Sequence, residues 1–169
     1  MRDSNVVAAA ALAIVDRMNS AMVSPGRGLN DVAALVHIRQ RPGESIRFLA
    51  RVLDLTHSGG VRLVDRLAAG GLVAPQTGSD RRSVRLFLTP AGEREVRAAL
   101  SRRQAAVESI LEILAGTENA HLVSAAEKLL AAFTSDRWGA RFICRMCDYP
   151  SCIPNDCPVD GAATATEKR

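Results

Sequence analysis

Residues 53–92 read LDLTHSGGVRLVDRLAAGGLVAPQTGSDRRSVRLFLTPAG, and their pattern decides the fold. Thr56 is a good helix N-cap, because its hydroxyl can accept from one of the backbone N–H groups that a helix start leaves unpaired. Val61, Val64 and Leu67 then repeat at helical spacing, with Leu63 beside them. Gly70-Gly71 ends the helix. Residues 72–74 predict a short strand, 76–83 a polar tip, and 84–88 a return strand in which Val84, Leu86 and Leu88 alternate with Arg85 and Phe87. Thr89-Pro90 restarts a helix, with a capping hydroxyl ahead of a proline at the first helical position. The amphipathic segment 45–53 supplies a preceding helix. A helix pair followed by a basic two-stranded tongue has the form of a winged helix-turn-helix.

The residues also carry a family pattern. LxRxLxLxxSxxxRLVDRLxxxGLV, followed by a wing with D-x-R-x5-L-T-x-x-G, occurs here as Leu49-Ala50-Arg51-Val52-Leu53-Asp54-Leu55, then Arg62-Leu63-Val64-Asp65-Arg66-Leu67 and Gly71-Leu72-Val73. The wing continues with Asp80, Arg82, Leu88, Thr89 and Gly92. This resembles MarR-type transcriptional regulators, closely over about residues 30–100 and by helical pattern alone beyond them. The resemblance implies a homodimer on a palindromic double-stranded DNA operator. It places Thr56, His57, Ser58, Gly59, Gly60, Arg62 and Arg66 at the recognition helix and Asp80, Arg81, Arg82, Ser83 and Arg85 on the wing. Arg62 is the candidate for a bidentate contact to guanine. Arg82 is the candidate for the minor groove, held by an ion pair with Asp80, and Arg81, Ser83 and Arg85 are suited to phosphate. Two glycines in the first turn of the recognition helix would let its backbone approach DNA.

Charge supports a nucleic-acid face. The 169-residue chain has a formal charge of +4, yet residues 39–103 alone hold 13 arginines against 6 acidic residues. The apolar fraction of 47% is enough for a core, and aromatics at 4% mean one built from Leu, Val and Ala. With little strand signal outside the wing, the expected fold class is mainly α (α+β), a winged helix-turn-helix flanked by dimerisation helices.

Outward from the centre, residues 6–15 are an uninterrupted apolar run, too short for the roughly 20 residues of a membrane span. Asp3 precedes it, and Asp16-Arg17 closes it without a small-residue cleavage pattern, so neither a leader nor a membrane anchor is expected. Capped at Ser4 or Asn5, it predicts a helix with Val7, Ala11, Ile14, Met18 and Met22 on one face. Such a helix is apolar nearly all round and needs burial on more than one side, which a dimer supplies. Residues 24–28 are a loop, and Asn30 is the expected cap of the next helix, which Pro42-Gly43 ends. His37 on that helix reads as a partly buried structural histidine rather than a ligand. Residues 89–115 predict one helix on the order of 40 Å long, and Leu122, Ala126, Leu129, Leu130 and Phe133 mark another. The expected divisions are 1–28 (dimerisation helix and loop), 29–92 (DNA-binding domain), 93–143 (dimerisation helices), 144–158 (cysteine-rich segment) and 159–169 (Ala/Thr-rich, disordered).

All four cysteines, Cys144, Cys147, Cys152 and Cys157, fall in that one segment, spaced C-x2-C-x4-C-x4-C and followed by Pro158. In the reducing cytoplasm expected for a chain without a leader, disulfides are rare, and such a density of thiols suits a metal. A zinc ion held by all four thiolates is one solution and an iron–sulfur cluster the other; thiol–disulfide switching is the third reading. Cys157-Pro158 tilts the choice toward iron, because many cluster-binding loops end this way. The ending Asn155-Asp156-Cys157-Pro158-Val159 also resembles the tail of the SoxR-type redox regulators, although the third cysteine here is spaced differently and the DNA-binding domain is of another family. Lying just past the last amphipathic helix, the segment is expected to act from the dimer end, by shifting the spacing of the two DNA-reading heads.

No nucleophile–base pattern, phosphate loop or recognisable carboxylate pair is visible, so an enzyme is not expected. The sequence predicts a DNA-binding regulator responsive to redox state or metal. The alternatives are a regulator with a structural zinc and a small-molecule effector in the dimer cleft, and, from another class, an electron-transfer or metal-trafficking protein. A chromatin-like protein indifferent to sequence is disfavoured by the wing.

Overall fold

The computed structural model describes residues 1–78 and 84–168. In chain order the elements are α1 (Arg2–Met22), α2 (Leu29–Gln40), α3 (Ile46–Val52), α4 (His57–Ala69), β1 (Val73–Thr77), β2 (Val84–Leu88), α5 (Pro90–Leu111), α6 (Thr117–Phe133) and α7 (Arg137–Ile143). A 3₁₀ turn (Cys144–Met146), α8 (Tyr149–Cys152), a second 3₁₀ turn (Ile153–Asn155) and α9 (Pro158–Glu167) follow. The fold is mainly helical with one antiparallel β1–β2 ribbon, paired from Val73 with Leu88 to Thr77 with Val84.

Hydroxyl and carboxylate caps set the helix starts. Ser45 accepts from Phe48 N at 3.2 Å, Thr56 from Gly59 N at 3.1 Å, and Thr89 from Gly92 N at 3.1 Å. Thr89 also donates to the Gly71 carbonyl at 2.7 Å, which ties the start of α5 to the turn entering the ribbon. The helix-turn-helix bend passes through Asp54 at φ +53°, a left-handed conformation that aspartate tolerates better than most residues. Close approach explains two glycines. A Cβ on Gly60 would lie 2.8 Å from Ala50 Cβ on α3, and one on Gly92 would lie 2.1 Å from the Leu72 carbonyl oxygen. Gly60 is buried beneath α3, so its missing side chain serves helix packing.

The main core gathers Val32, Leu35 and Val36 of α2, Leu49 of α3, Leu63 and Leu67 of α4, Leu86 of β2 and Val96 of α5. Each Leu or Val so enclosed stabilises the fold by about 1.5–3 kcal/mol, so this core fixes the angle between α3 and α4. Sequence and structure differ at several ends. The cap of α2 is Gly28, whose N–H donates to Asp31 Oδ2 at 2.8 Å, and Asn30 lies inside the first turn. Helix α1 begins at Arg2, ahead of Ser4 and Asn5. The first wing strand runs to Thr77, and α5 stops at Leu111 rather than 115.

The larger differences are C-terminal. Asp136 caps a separate α7, accepting from Gly139 N at 2.7 Å, so the stretch 93–143 ends in a further short helix beyond α6. The segment after Asp160, expected to be disordered, is most of α9. Its small apolar side chains Val159 and Ala163 close on Ala140, and Arg137 pairs with Asp160 at 2.6 Å and with Glu167 at 3.0 Å. Low hydrophobicity is compensated there by long-range ion pairs. These elements form a C-terminal lobe packed on α2, α3 and α6.

Candidate nucleic-acid interface and cysteine cluster

The outer face of α4 presents His57, Ser58 and Arg62 to solvent, while Leu63, Val64 and Leu67 bury the opposite face. Thr56 and Ser58 are linked, Oγ to Oγ, at 3.2 Å, and both stand at the N-terminal end where backbone N–H groups point outward. Arg62 has no carboxylate within ion-pair distance among the described residues. Arg66 is different. Its Nη2 and Nε donate to Asp31 Oδ1 at 2.6 and 3.1 Å, and Asp31 is 3% exposed. A carboxylate so enclosed must be paired, and it locks α4 to the start of α2. Arg66 is therefore a structural tie between the two helices, and the 35-residue separation of the pair hid this from the sequence.

On the wing, Arg85 is exposed and its Nη1 donates to the Gly43 carbonyl at 3.2 Å. The expected contacts at Asp80, Arg81, Arg82 and Ser83 lie outside the described residues.

The four cysteines are brought together, each half-buried and none in a disulfide. The Cys144 and Cys152 thiols both hydrogen-bond to Cys147, and Cys152 also pairs with Cys157. The Cys144 hydrogen bond, with the Arg103 guanidinium beside it, lowers the Cys147 pKa to about 6, and the same bond together with burial pushes Cys144 up. Among the described residues no three His, Cys, Asp or Glu side chains are disposed as a ready metal polyhedron. The donor set itself is of the kind a thiophilic metal takes, four cysteine thiols within one segment.

The cluster sits against α2 and α5. Gln40 Nε2 donates to the Cys147 carbonyl at 2.9 Å, Arg103 donates to the Met146 carbonyl, and Arg39 lies 3.7 Å from Asp148. From α7, Trp138 packs on Phe48 of α3 with ring centroids 5.0 Å apart, and the Arg51 guanidinium lies 3.7 Å over the Trp138 ring. Phe48 in turn stacks on His37 at 5.6 Å. Residue types gave no hint of this seam, because its members are scattered over about a hundred residues.

His37 is the buried histidine the sequence led us to expect, 2% exposed. Burial, then the nearby Arg41 and Arg141, lower its pKa to about 4 from 6.5. The unfolded chain therefore takes up a proton between pH 6.5 and 4 that the folded chain refuses. Stability should fall across that window by up to about 3 kcal/mol from this group alone. The difference between denaturant midpoints of the native chain and His37→Phe, followed against pH, measures it. Parallel curves would remove His37 as the cause.

With this geometry in place, the chain can be classed. Residues 28–92 match the winged helix DNA-binding domain family. No curated protein matches the chain. Solved structures share the fold: YusO protein from Bacillus subtilis (22% identity, 76% of this chain and 92% of that one, TM-score 0.67) and MarR from E. coli in its apo form (20%, 75% and 96%, 0.63). MepR, a transcription regulator of the Staphylococcus aureus multidrug efflux pump MepA, is a third (17%, 76% and 96%, 0.67). The architecture is the winged helix-turn-helix of MarR-type regulators. Among the described residues no helix is long and apolar enough to cross a membrane.

Proposed function

We propose that the chain is a homodimeric, cytoplasmic transcriptional regulator that reads a palindromic operator, with a metal centre on its four cysteines modulating affinity. The observation that carries the DNA-binding part is the exposed face of α4, where Arg62 stands free beside a helix N-terminus and next to a basic ribbon. Dimerisation is supported by what the single chain leaves uncovered. No residue of α6 is buried, and Val7 and Leu12 of α1 are 68% and 65% exposed. Two helices this apolar call for a partner.

For the metal, an iron–sulfur cluster is the preferred occupant of Cys144, Cys147, Cys152 and Cys157, because Pro158 closes the last ligand as in many cluster loops. A cluster would supply one-electron chemistry and oxidant lability, so that its oxidation or loss is the signal. Iron, zinc and acid-labile sulfide assay of anaerobically purified protein decides: iron with sulfide supports the reading, zinc alone converts the segment to a structural clip, and neither overturns it.

The DNA reading is tested at Arg62. Arg62→Ala, titrated against a panel of operator variants taken from selected random duplexes, should lose discrimination at one guanine by about 1–3 kcal/mol. Uniform weakening across the panel would make Arg62 a phosphate contact, and an unaltered protein that binds no duplex would overturn the reading itself.

A further inference from the structure

Arginines and aromatic rings alternate along the seam between the C-terminal lobe and the helix-turn-helix. Arg41 of α2 lies 5.7 Å from the Phe48 centroid, and Arg141 of α7 lies 5.1 and 4.7 Å from the Phe48 and Trp138 centroids. Arg51 of α3 closes the row, 3.7 Å over the Trp138 ring. So near an approach is that of a guanidinium lying flat on the ring, with its N–H groups pointing past the ring edge. The lobe is seated without this last cation, because Trp138 already meets Phe48 and Arg141. Arg51 is exposed, where a cation–π contact is weakest.

Arg51 also has a second setting. With Arg47, one turn earlier on α3, it lines a shallow hollow shared with Asp54, Leu55 and His57, the first residue of α4. Both arginines are exposed, and like charges four residues apart on a helix repel. Among the described residues neither has a carboxylate within ion-pair distance, Asp54 included. Two unneutralised cations beside the start of the recognition helix call for an anion. In helix-turn-helix docking the first helix crosses the DNA backbone, so that anion is a phosphate. We propose that Arg51 grips a DNA phosphate beside the recognition helix, and that Trp138, from the C-terminal lobe, is the positioning residue that holds its guanidinium. An arginine side chain loses rotamer freedom when it meets phosphate, and the Trp138 ring removes that freedom beforehand, so less is lost on binding. The lobe thereby joins the DNA interface without touching a base. The inference rests on the DNA-binding reading and needs no metal.

The test uses the full-length protein as purified and the duplex it enriches from a random pool, titrated between about 50 and 200 mM salt. Arg51→Ala should bind every duplex about tenfold more weakly and lower the slope of log K against log salt by about one. Trp138→Leu should weaken binding about threefold alone and add nothing beside Arg51→Ala, the coupling expected of two residues acting as one. Trp138→Phe, which keeps an aromatic face, should restore affinity. Trp138 is the only tryptophan, so its emission reads the stack directly: the duplex should shift it in the native chain and leave it unmoved in Arg51→Ala. Unchanged affinity and salt slope in Arg51→Ala, additive losses in the double variant, or a native emission blind to the duplex would each overturn the proposal. The emission readout needs only the unaltered chain, so it decides even if the Trp138 variants fail to fold. A native chain that binds no duplex overturns the DNA-binding reading as well, whereas normal native binding with an unaffected Arg51→Ala removes this contact alone.

Discussion

Replacing Leu12 and Leu129 with glutamate should yield a monomer that binds the operator about 10²- to 10⁴-fold more weakly, the range by which linking two modules raises avidity. Both side chains are more than half exposed in the single chain, Leu12 at 65% and Leu129 at 53%, so neither supports the winged core. In a dimer both belong to the uncovered faces of α1 and α6, where a buried unpaired carboxylate is strongly disfavoured. Sedimentation should show the mass halved, and dichroism and the thermal midpoint of the winged domain should hold. A double variant that stays dimeric would remove these faces from the interface. A native chain that sediments as a monomer would remove the dimer from the proposal altogether.

What the sequence made legible follows from range. The caps Thr56 and Thr89, the Gly70-Gly71 stop and the alternation from Val84 to Leu88 are local signals, and the structure places each where the pattern put it. The exposed row of His57, Ser58 and Arg62 follows from the period of the same helix. Contacts between distant segments were not legible. Arg66 looks free on a helical wheel, yet it neutralises Asp31 from another helix. An Ala/Thr-rich tail looks disordered, yet α9 folds because Arg137 reaches Asp160, Thr164 and Glu167. Trp138 carried no pattern, and its place on Phe48 joins α7, just ahead of the cysteine segment, to α3 of the helix-turn-helix.

Stripping metal from the cysteines should melt the C-terminal lobe and leave the winged domain intact. The lobe's own buried core is only Ala140, Val159 and Ala163. One valine and two alanines contribute a few kcal/mol, on the order of 0.8 kcal/mol per CH₂ group. Ordering the backbone of each residue costs about 1–2 kcal/mol, so the lobe depends on what is attached to it. A bound metal is the largest such term, since structural zinc contributes about 10–16 kcal/mol to small domains at neutral pH. Anaerobic chelation should therefore accelerate amide exchange over residues 137–167 at least a hundredfold, about 2.7 kcal/mol of lost protection, while α2, α4 and β2 keep theirs. Melting α7 would withdraw Trp138 from Phe48 and Arg51, and so release the outer face of α3, the helix against which Gly60 seats the recognition helix. The metal signal would then pass through α3 within one chain, and a tenfold change in operator affinity needs only about 1.4 kcal/mol of difference. Trp138→Ala separates this route from one through the dimer. If the seam carries the signal, the variant binds operator equally with and without metal; if the tenfold difference persists, coupling runs through α6 and the spacing of the two heads. Exchange over 137–167 that chelation leaves unchanged would mean that packing on α2 and the Arg137 network hold the lobe without any metal.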